Sequence, residues 1–464
     1  MALIKSISGI RGTIGGNTGE NLTPLDVVKF AAAYGTWLKT QQIDKLKKIT
    51  VVLGRDGRIS GGLVSSLVSN TLLALGIDVV NIGLSTTPTV EMAVVNLLAN
   101  GGIIITASHN PKEWNALKLL NNKGEFINAQ EGAIILELAN EEQFGFVPVD
   151  DLGNETLNND SLAYHIEKVI AYKHVDVKAI TAAKFKIVID VINSTGAIAI
   201  PMLLHKLGVK NYELINGENT GNFAHNPEPL PENLTDLSRA VIEQKAHLGI
   251  AVDPDVDRLC FVCEDGTMFG EEYTLVAVAD YILGLQKGNT VSNMSSTRAL
   301  KDITEKHGGK YIASAVGEVN VVSKMKLHQA VIGGEGNGGI IVPDLHYGRD
   351  ALIGIALFLT HLANTKKTAR QLRNTFPNYF ISKNKITLDE GVDTAKIFKA
   401  IKSKYKNQPI NDEDGLKIEF ENDWVQLRTS NTEPIIRIYA ESSLETTADN
   451  IAKKLIADIQ DSIK

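Results

Sequence analysis

Three carboxylates, one exposed-looking serine and two clustered arginines in this 464-residue chain have the types and spacing to handle a phosphate group. The serine lies in Gly102-Ile-Ile-Ile-Thr106-Ala107-Ser108-His109-Asn110-Pro111. The branched apolar run reads as a buried strand, and Pro111 biases Asn110 away from helical geometry, so Ser108 is expected at a strand's carboxyl end. Open α/β sheets bind their ligands there. The carboxylates lie in Asp253-Pro-Asp255-Val-Asp257-Arg258, directly after the apolar run Leu248–Val252. Alternate side chains of an extended backbone share a face, so this spacing predicts convergence of all three on one point. Such a cluster repels itself unless a cation sits in it, and hard oxygen donors suit magnesium. A calcium loop of the EF-hand type, with Glu264 as its twelfth residue, is excluded because Arg258 stands where that loop needs glycine. A solvated acidic loop is the plain alternative.

Two further segments offer binding groups. Gly334-Glu335-Gly336-Asn337-Gly338-Gly339 has the spacing of a dinucleotide fingerprint, but a strand rather than a helix follows it, in Ile340-Ile-Val-Pro343. Its acceptor, amide and exposed backbone suit sugar hydroxyls instead. Arg428-Thr429-Ser430-Asn431-Thr432-Glu433-Pro434 joins two apolar runs, the second of which carries Arg437. Guanidinium groups bind phosphate through parallel hydrogen bonds, so Arg428, Arg437, Ser430, Asn431 and Thr432 make a dianion site.

In this order and at these separations the four segments resemble those of the α-D-phosphohexomutase superfamily: phosphoglucomutases, phosphomannomutases and phosphoglucosamine mutases. The family's serine loop has the form T-x-S-H-N-P, its metal loop D-x-D-x-D-R, its sugar loop G-E-x-[SN]-G and its phosphate loop R-x-S-x-T-E-P. Gly9-Ile-Arg11-Gly12 is similar to the family's amino-terminal arginine segment, and the resemblance spans nearly the whole chain. It implies three similar mixed α/β domains followed by a smaller α+β carboxyl-terminal domain, around a central cleft.

The resemblance also implies a reaction. A phosphoserine at Ser108, meeting Mg2+ held by Asp253, Asp255 and Asp257, passes its phosphoryl group to a hexose monophosphate. The resulting hexose 1,6-bisphosphate, intermediate and activator, turns over and returns its other phosphate to Ser108. His109 and Lys118 are candidates for acid/base or electrostatic roles, and Arg11 and Arg258 for steadying phosphate. Glu335, Asn337 and Gly338 are expected to meet the sugar. Many relatives end the sugar loop in histidine, where this chain has Gly339, and the Val316–Asn320 loop lacks a basic residue common there. Both departures resemble a branch assigned to glucosamine phosphate, so phosphoglucosamine mutase is the expected activity, with phosphoglucomutase or phosphomannomutase as the alternative. A serine-dependent phosphomonoesterase and a non-catalytic phosphosugar-binding protein are the readings of another class.

The elements that must position these residues follow a repeated plan. Strand, loop, helix, glycine stop and strand recur from Ile49, from Phe185 and from Thr290, each a crossover unit. Boundaries are expected at 1–155, 156–254, 255–367 and 368–464, with the Asn/Asp-rich Asp150–Asp160 as a linker. The last helix places Ala448, Ile451, Ala452, Leu455, Ile456 and Ile459 on one stripe that must cover a sheet. A chain 44% hydrophobic and 22% charged can bury several cores. Its net charge of -7 argues against nucleic acid as a partner. No apolar run reaches the ~18 residues of a membrane span, and no secretory leader is evident. Cys260 and Cys263 read as buried thiols suited to a reducing cytoplasm. Phosphosugar is the expected partner, and the chain a monomer or homodimer.

Overall fold

The structure is a computed structural model that describes residues 3–6, 9–44, 47–388, 392–429 and 435–463. The chain divides into two compact units, Met1–Thr274 with Asn337–Leu372, and Leu275–Gly336 with Arg373–Lys464.

In the first unit the segment from Thr50 to Leu120 builds most of a seven-stranded sheet, in the order Ile4–Ser6, Gly9–Thr13, Trp114–Leu120, Gly101–Ile105, Thr50–Arg55, Asp78–Leu84, Glu155–Leu157. Thr50–Arg55 runs parallel to both neighbours, while Trp114–Leu120 returns antiparallel beside Gly101–Ile105. Alternation sorts the side chains. Val51, Leu53, Ile103 and Ile105 pack against Phe30, Val64 and Leu72 of the helices Pro24–Gln41 and Gly61–Ala74. Val52 and Ile104 face Val90 and Val94 of the helix Thr87–Asn96 on the other side. Both faces are therefore apolar, which is why these strands read as continuous hydrophobic runs. Within the Asn/Asp-rich stretch Asp150–Asp160, Glu155–Leu157 pairs as an edge strand parallel to Asp78–Leu84. Backbone pairing needs no apolar side chains, and all three of its residues are exposed.

The second sheet of this unit has the order Leu259–Cys263, Leu248–Val252, Lys186–Asp190, Asn211–Ile215. Its first two strands form an antiparallel hairpin whose connection is the acidic segment, so this sheet continues beyond residue 254. Phe261 of the hairpin stacks on Phe358 of the buried helix Ala351–Thr365, with ring centroids 3.8 Å apart. Cys260 and Cys263, both buried and free, lie on the same strand.

In the second unit Asn289–Asn293 lies between Tyr311–Ser314 and Ala330–Glu335, parallel to both. A five-stranded antiparallel sheet follows, in the order Phe380–Thr387, Ile435–Ser442, Trp424–Thr429, Leu416–Glu419, Ile410–Asn411. Ala452, Leu455 and Ile459 of the last helix, Glu445–Ile463, share its core with Ile418, Leu427 and Ile438, as the stripe predicts. Among the described residues no helix is long and apolar enough to cross a membrane.

Candidate active site

Ser108 stands where the sequence places it, beyond the carboxyl end of the strand Gly101–Ile105. Its φ of +49° puts a non-glycine residue in the left-handed region, a conformation that needs support from its surroundings. Ser108 N–H donates to Thr106 Oγ1 at 2.9 Å, and the Thr106 hydroxyl donates to Asp56 Oδ2 at 2.7 Å. The Arg58 guanidinium, wholly buried, pairs with Asp56 at 3.0 Å and donates to the carbonyls of Ser108, Asn110, Pro111 and Trp114. One arginine thus ties the whole loop down. Neither Asp56 nor Arg58 was singled out from sequence, although Asp56-Gly-Arg58 directly follows the Thr50–Arg55 strand, where ligand-binding loops form.

Ser108 Oγ donates to Asp253 Oδ2 at 2.7 Å, across 145 residues of chain. Asp253, Asp255 and Asp257 converge, each offering an oxygen within 4.8 Å of the others, and all three are fully buried. The cause differs from the alternation expected. Val256 has a φ of +60°, its N–H donates to the Asp253 carbonyl, and the N–H groups of Asp257 and Arg258 donate to Asp253 Oδ1 at 3.1 and 3.0 Å. A tight turn wrapped around the first carboxylate gathers the other two.

Lys118, on the strand Trp114–Leu120, reaches Asp255 Oδ2 at 2.7 Å and Asp257 Oδ2 at 3.6 Å. Thr87 Oγ1 donates to Asp255 Oδ2 at 2.6 Å, and Arg349 Nη2 to Asp257 Oδ2 at 2.7 Å. Asp255 Oδ1 and Asp257 Oδ1 are left buried with no hydrogen-bond partner among the described residues. A buried carboxylate oxygen without a partner is costly. Together with the all-oxygen donor set, it fits a hard divalent cation at this point.

Electrostatics within the loop are uneven. Burial, reinforced by the Asp257 and Asp255 charges, pushes the Asp253 carboxyl well above the usual carboxylate range. Burial would raise Asp255 too, but Lys118 and Thr87 overcome it and hold that carboxyl low. For Lys118, burial is outweighed by Asp255 and Asp257, so its ammonium is stabilised. His109 is pushed well below its ordinary value, first by burial and then by the charges of Arg258, Arg11 and Arg349. It is a neutral imidazole at neutral pH. Arg11 Nη1 donates to Asn110 Oδ1 at 3.3 Å, and Arg258 Nη1 to Glu228 Oε1 at 2.9 Å. The first unit therefore brings together Ser108, His109, Lys118, Arg11, Arg258 and the three aspartates. Thr87 and Arg349 join them without having been anticipated.

A second buried cluster stands beside Arg349. Asp350 caps the helix Ala351–Thr365 with Oδ1, and its Oδ2 faces His165 Nε2 at 2.9 Å and His346 Nε2 at 3.3 Å. His346 Nδ1 lies 3.1 Å from Glu91 Oε2. Burial disfavours the charged form of His346, but Asp350 and Glu91 more than offset this and push it up to about 10. The sign of the consequence is clear. A proton held more tightly when folded stabilises fully below the ordinary value of 6.5, and the benefit disappears as pH rises through about 10. The thermal midpoint should fall across that window, and His346→Gln should flatten the fall. An equally steep profile in the variant would show that His346 is not the titrating group.

The remaining predicted residues divide between the units. Asn337 and Gly338 belong to the first. Asn337 Oδ1 accepts from Gly339 N at 3.2 Å. Gly338 has a φ of +87°, and a Cβ there would lie 2.1 Å from the Leu259 carbonyl oxygen, so only glycine fits. Glu335, Arg428 and Arg437 belong to the second. Glu335 Oε1 accepts from Asn293 Nδ2 at 2.8 Å and from Gly317 N at 3.1 Å. Arg428 and Arg437 sit directly opposite each other on paired strands, with Arg428 Nη1 3.3 Å from Asp414 Oδ2. Ser430, Asn431 and Thr432, with the rest of the turn to Pro434, lie outside the described residues.

A serine donating to a buried aspartate triad, within three α/β segments and a different carboxyl-terminal one, defines the class as a phosphotransfer enzyme. Models of the phosphoglucomutase/phosphomannomutase family match along the chain: alpha/beta/alpha domain I at residues 3–146, domain II at 163–266, domain III at 270–379 and the C-terminal domain at 385–457. A phosphoglucomutase/phosphomannomutase of Thermococcus kodakarensis is 34% identical over 98% of this chain and 99% of its own. A phosphoglucosamine/phosphogalactosamine mutase of Sulfurisphaera tokodaii is 31% identical over 98% of each chain. The crystal structure of a phosphoglucomutase/phosphomannomutase family protein from Burkholderia thailandensis superimposes with a TM-score of 0.85, at 24% identity, over 99% of this chain and 98% of that one. The chain belongs to the phosphoglucomutase/phosphomannomutase family.

Proposed function

We propose that this protein is a phosphohexomutase interconverting hexose 6-phosphate and hexose 1-phosphate, with glucosamine phosphate as its preferred substrate. The observation that carries the reading is the 2.7 Å hydrogen bond from Ser108 Oγ into a buried aspartate triad with unpartnered oxygens. Mg2+ bound by Asp253, Asp255 and Asp257 would offset the charge of a phosphoserine and of its departing oxygen. In the first half-reaction a sugar hydroxyl oxygen attacks phosphorus, the P–Oγ bond of Ser108 breaks, and the hydroxyl proton passes by way of an acid/base group to the departing Ser108 Oγ. In the second, Ser108 Oγ attacks the other phosphate of the hexose 1,6-bisphosphate and releases the isomeric monophosphate.

Each chain group has a part in this. Lys118, buried against Asp255 and Asp257, and the neutral, half-buried His109 next to Ser108 are the candidates to move the proton. Arg11 and Arg258 steady the transferring phosphate. Glu335 and Asn337 hold sugar hydroxyls, Gly338 letting the chain turn between them and the following strand. Arg428, Arg437, Ser430, Asn431 and Thr432 bind the phosphate that is not reacting. The two free, buried cysteines suit a reducing cytoplasm. The 34% identity to a relative named phosphoglucomutase/phosphomannomutase supports glucose or mannose phosphate as the second reading.

Turnover of glucosamine, glucose, mannose and N-acetylglucosamine phosphates by one preparation tests the substrate assignment, with fastest turnover expected for glucosamine phosphate. Glucose or mannose phosphate turning over faster would replace the first reading by the second. Arg428→Ala should raise KM for every hexose phosphate on the order of tenfold, from loss of a charge-assisted contact worth ~1.5–3 kcal/mol. Asn337→Ala should act unequally among the sugars. The opposite pattern in the two variants would reverse the roles of the two loops.

A further inference from the structure

Gly339 is a glycine for reasons of space. Its backbone does not lie in the left-handed region, yet a Cβ built on it would sit 2.3 Å from Arg349 Cδ and 2.9 Å from Arg349 Cγ. The arginine stem therefore runs where a side chain at 339 would have to be. This is the position at which many members of the superfamily carry histidine, and here the neighbouring volume belongs to Arg349. The guanidinium continues from there to Asp257 Oδ2, with the residue only 8% exposed.

That contact discriminates between the two oxygens of Asp257. Oδ2 is occupied by Arg349 and approached by Lys118, while Oδ1 has no hydrogen-bond partner among the described residues and stands 4.0 Å from Arg258 Nε. The backbone around Arg349 is tied on both sides. Asp350 N–H donates to the Ile340 carbonyl at 2.8 Å, and Ala351 N–H donates to the carbonyl of Val256, inside the acidic loop, at 3.2 Å. Asp350 is held in turn by His165 and His346, and the Glu91 carboxylate packs so closely on Gly348 that a Cβ there would lie 1.7 Å from Oε2. Asp350, partnered by both histidines and by the N–H groups of Leu352 and Ile353, is held in one arrangement.

We propose that Arg349 is a positioning residue for phosphoryl transfer, turning Asp257 so that Oδ1 is the oxygen offered to the metal, with Gly339 keeping room for the arginine and the His165, His346, Asp350 and Glu91 cluster holding its backbone in place. The inference rests on the phosphohexomutase reading above. It adds a residue that Asp257 depends on, 92 positions away in the chain.

The test compares full-length wild type with Arg349→Gln, Arg349→Lys, Gly339→Ala and the double variant Gly339→Ala/Arg349→Gln. Isomerisation kinetics, Mg2+ binding by calorimetry and thermal midpoints are measured on each. Arg349→Gln should lower kcat about 100-fold with KM changed by less than about threefold, because a misplaced ligand slows the chemical step rather than sugar binding. It should also bind Mg2+ more weakly than wild type, since Asp257 Oδ1 is no longer held toward the metal. Arg349→Lys should recover part of both kcat and Mg2+ affinity, as an ammonium keeps the charge but cannot reproduce the planar fork. Gly339→Ala should lower kcat by displacing the arginine and add little to the loss in Arg349→Gln. Losses that multiply in full, a kcat within about twofold of wild type in Arg349→Gln, or Mg2+ binding that is unchanged or tighter in that variant would each overturn the proposal. Absence of isomerisation by wild type itself would sink the mutase reading instead, and Mg2+ affinities would still decide what Arg349 does to the loop.

Discussion

Ser108→Ala should reduce isomerisation to background while hexose phosphate binding stays measurable. No hydroxyl remains to carry the phosphate, and the neighbouring Thr106 is committed to Asp56 and to the backbone of residue 108. The loop itself should survive. Its left-handed turn is held by Arg58 through four carbonyls, and alanine tolerates a φ of +49° about as well as serine does. Intact-mass and peptide analysis of active wild type should place one phosphate on Ser108, absent from the variant. Full activity in Ser108→Ala would remove the central claim about the reaction.

The second large effect is expected at Asp255. Its carboxylate is the common partner of Lys118 and Thr87, and its other oxygen is one of the two without a hydrogen bond. Asp255→Asn keeps the shape, removes one negative charge, and should weaken Mg2+ binding by at least roughly tenfold. Turnover should fall with it, because charge compensation matters most as the phosphorus–oxygen bond breaks. Stability should fall as well, since the folded protein favours the charged Asp255 carboxylate against Lys118 at 2.7 Å and the buried ammonium would keep only Asp257 at 3.6 Å. Chelation of wild type should mimic the variant and be reversed by added Mg2+. Turnover that persists without metal in both would favour a loop that is merely solvated acid.

The comparison of sequence with structure turns on what each carboxylate and guanidinium has for company. The aspartate spacing predicted a meeting point, and the three do meet, but through a turn with Val256 in the left-handed region rather than through strand alternation. Three charges in succession overrode the local period because Asp253 could satisfy two backbone N–H groups of its own loop. Asp150–Asp160 is poor in apolar residues, and Glu155–Leu157 within it still pairs as a strand because an edge strand needs only a neighbouring backbone.

Periodicity and composition by themselves determined the elements: the apolar strand that delivers Ser108, the repeated crossover units, the stripe of the last helix and the segments rich in groups for metal, sugar and phosphate. These are local properties, set within about ten residues by which side chains can be buried together. Tertiary structure alone decided the partners. Ser108 finds Asp253 across 145 residues and Lys118 finds Asp255 across 137. Arg58 and Arg349 were not singled out from the sequence, because an arginine's role depends on what lies at the end of its side chain. Only the fold, by removing water from around them and setting carbonyls and a carboxylate within 3 Å of their guanidinium groups, makes one the clamp of the serine loop and the other the holder of Asp257.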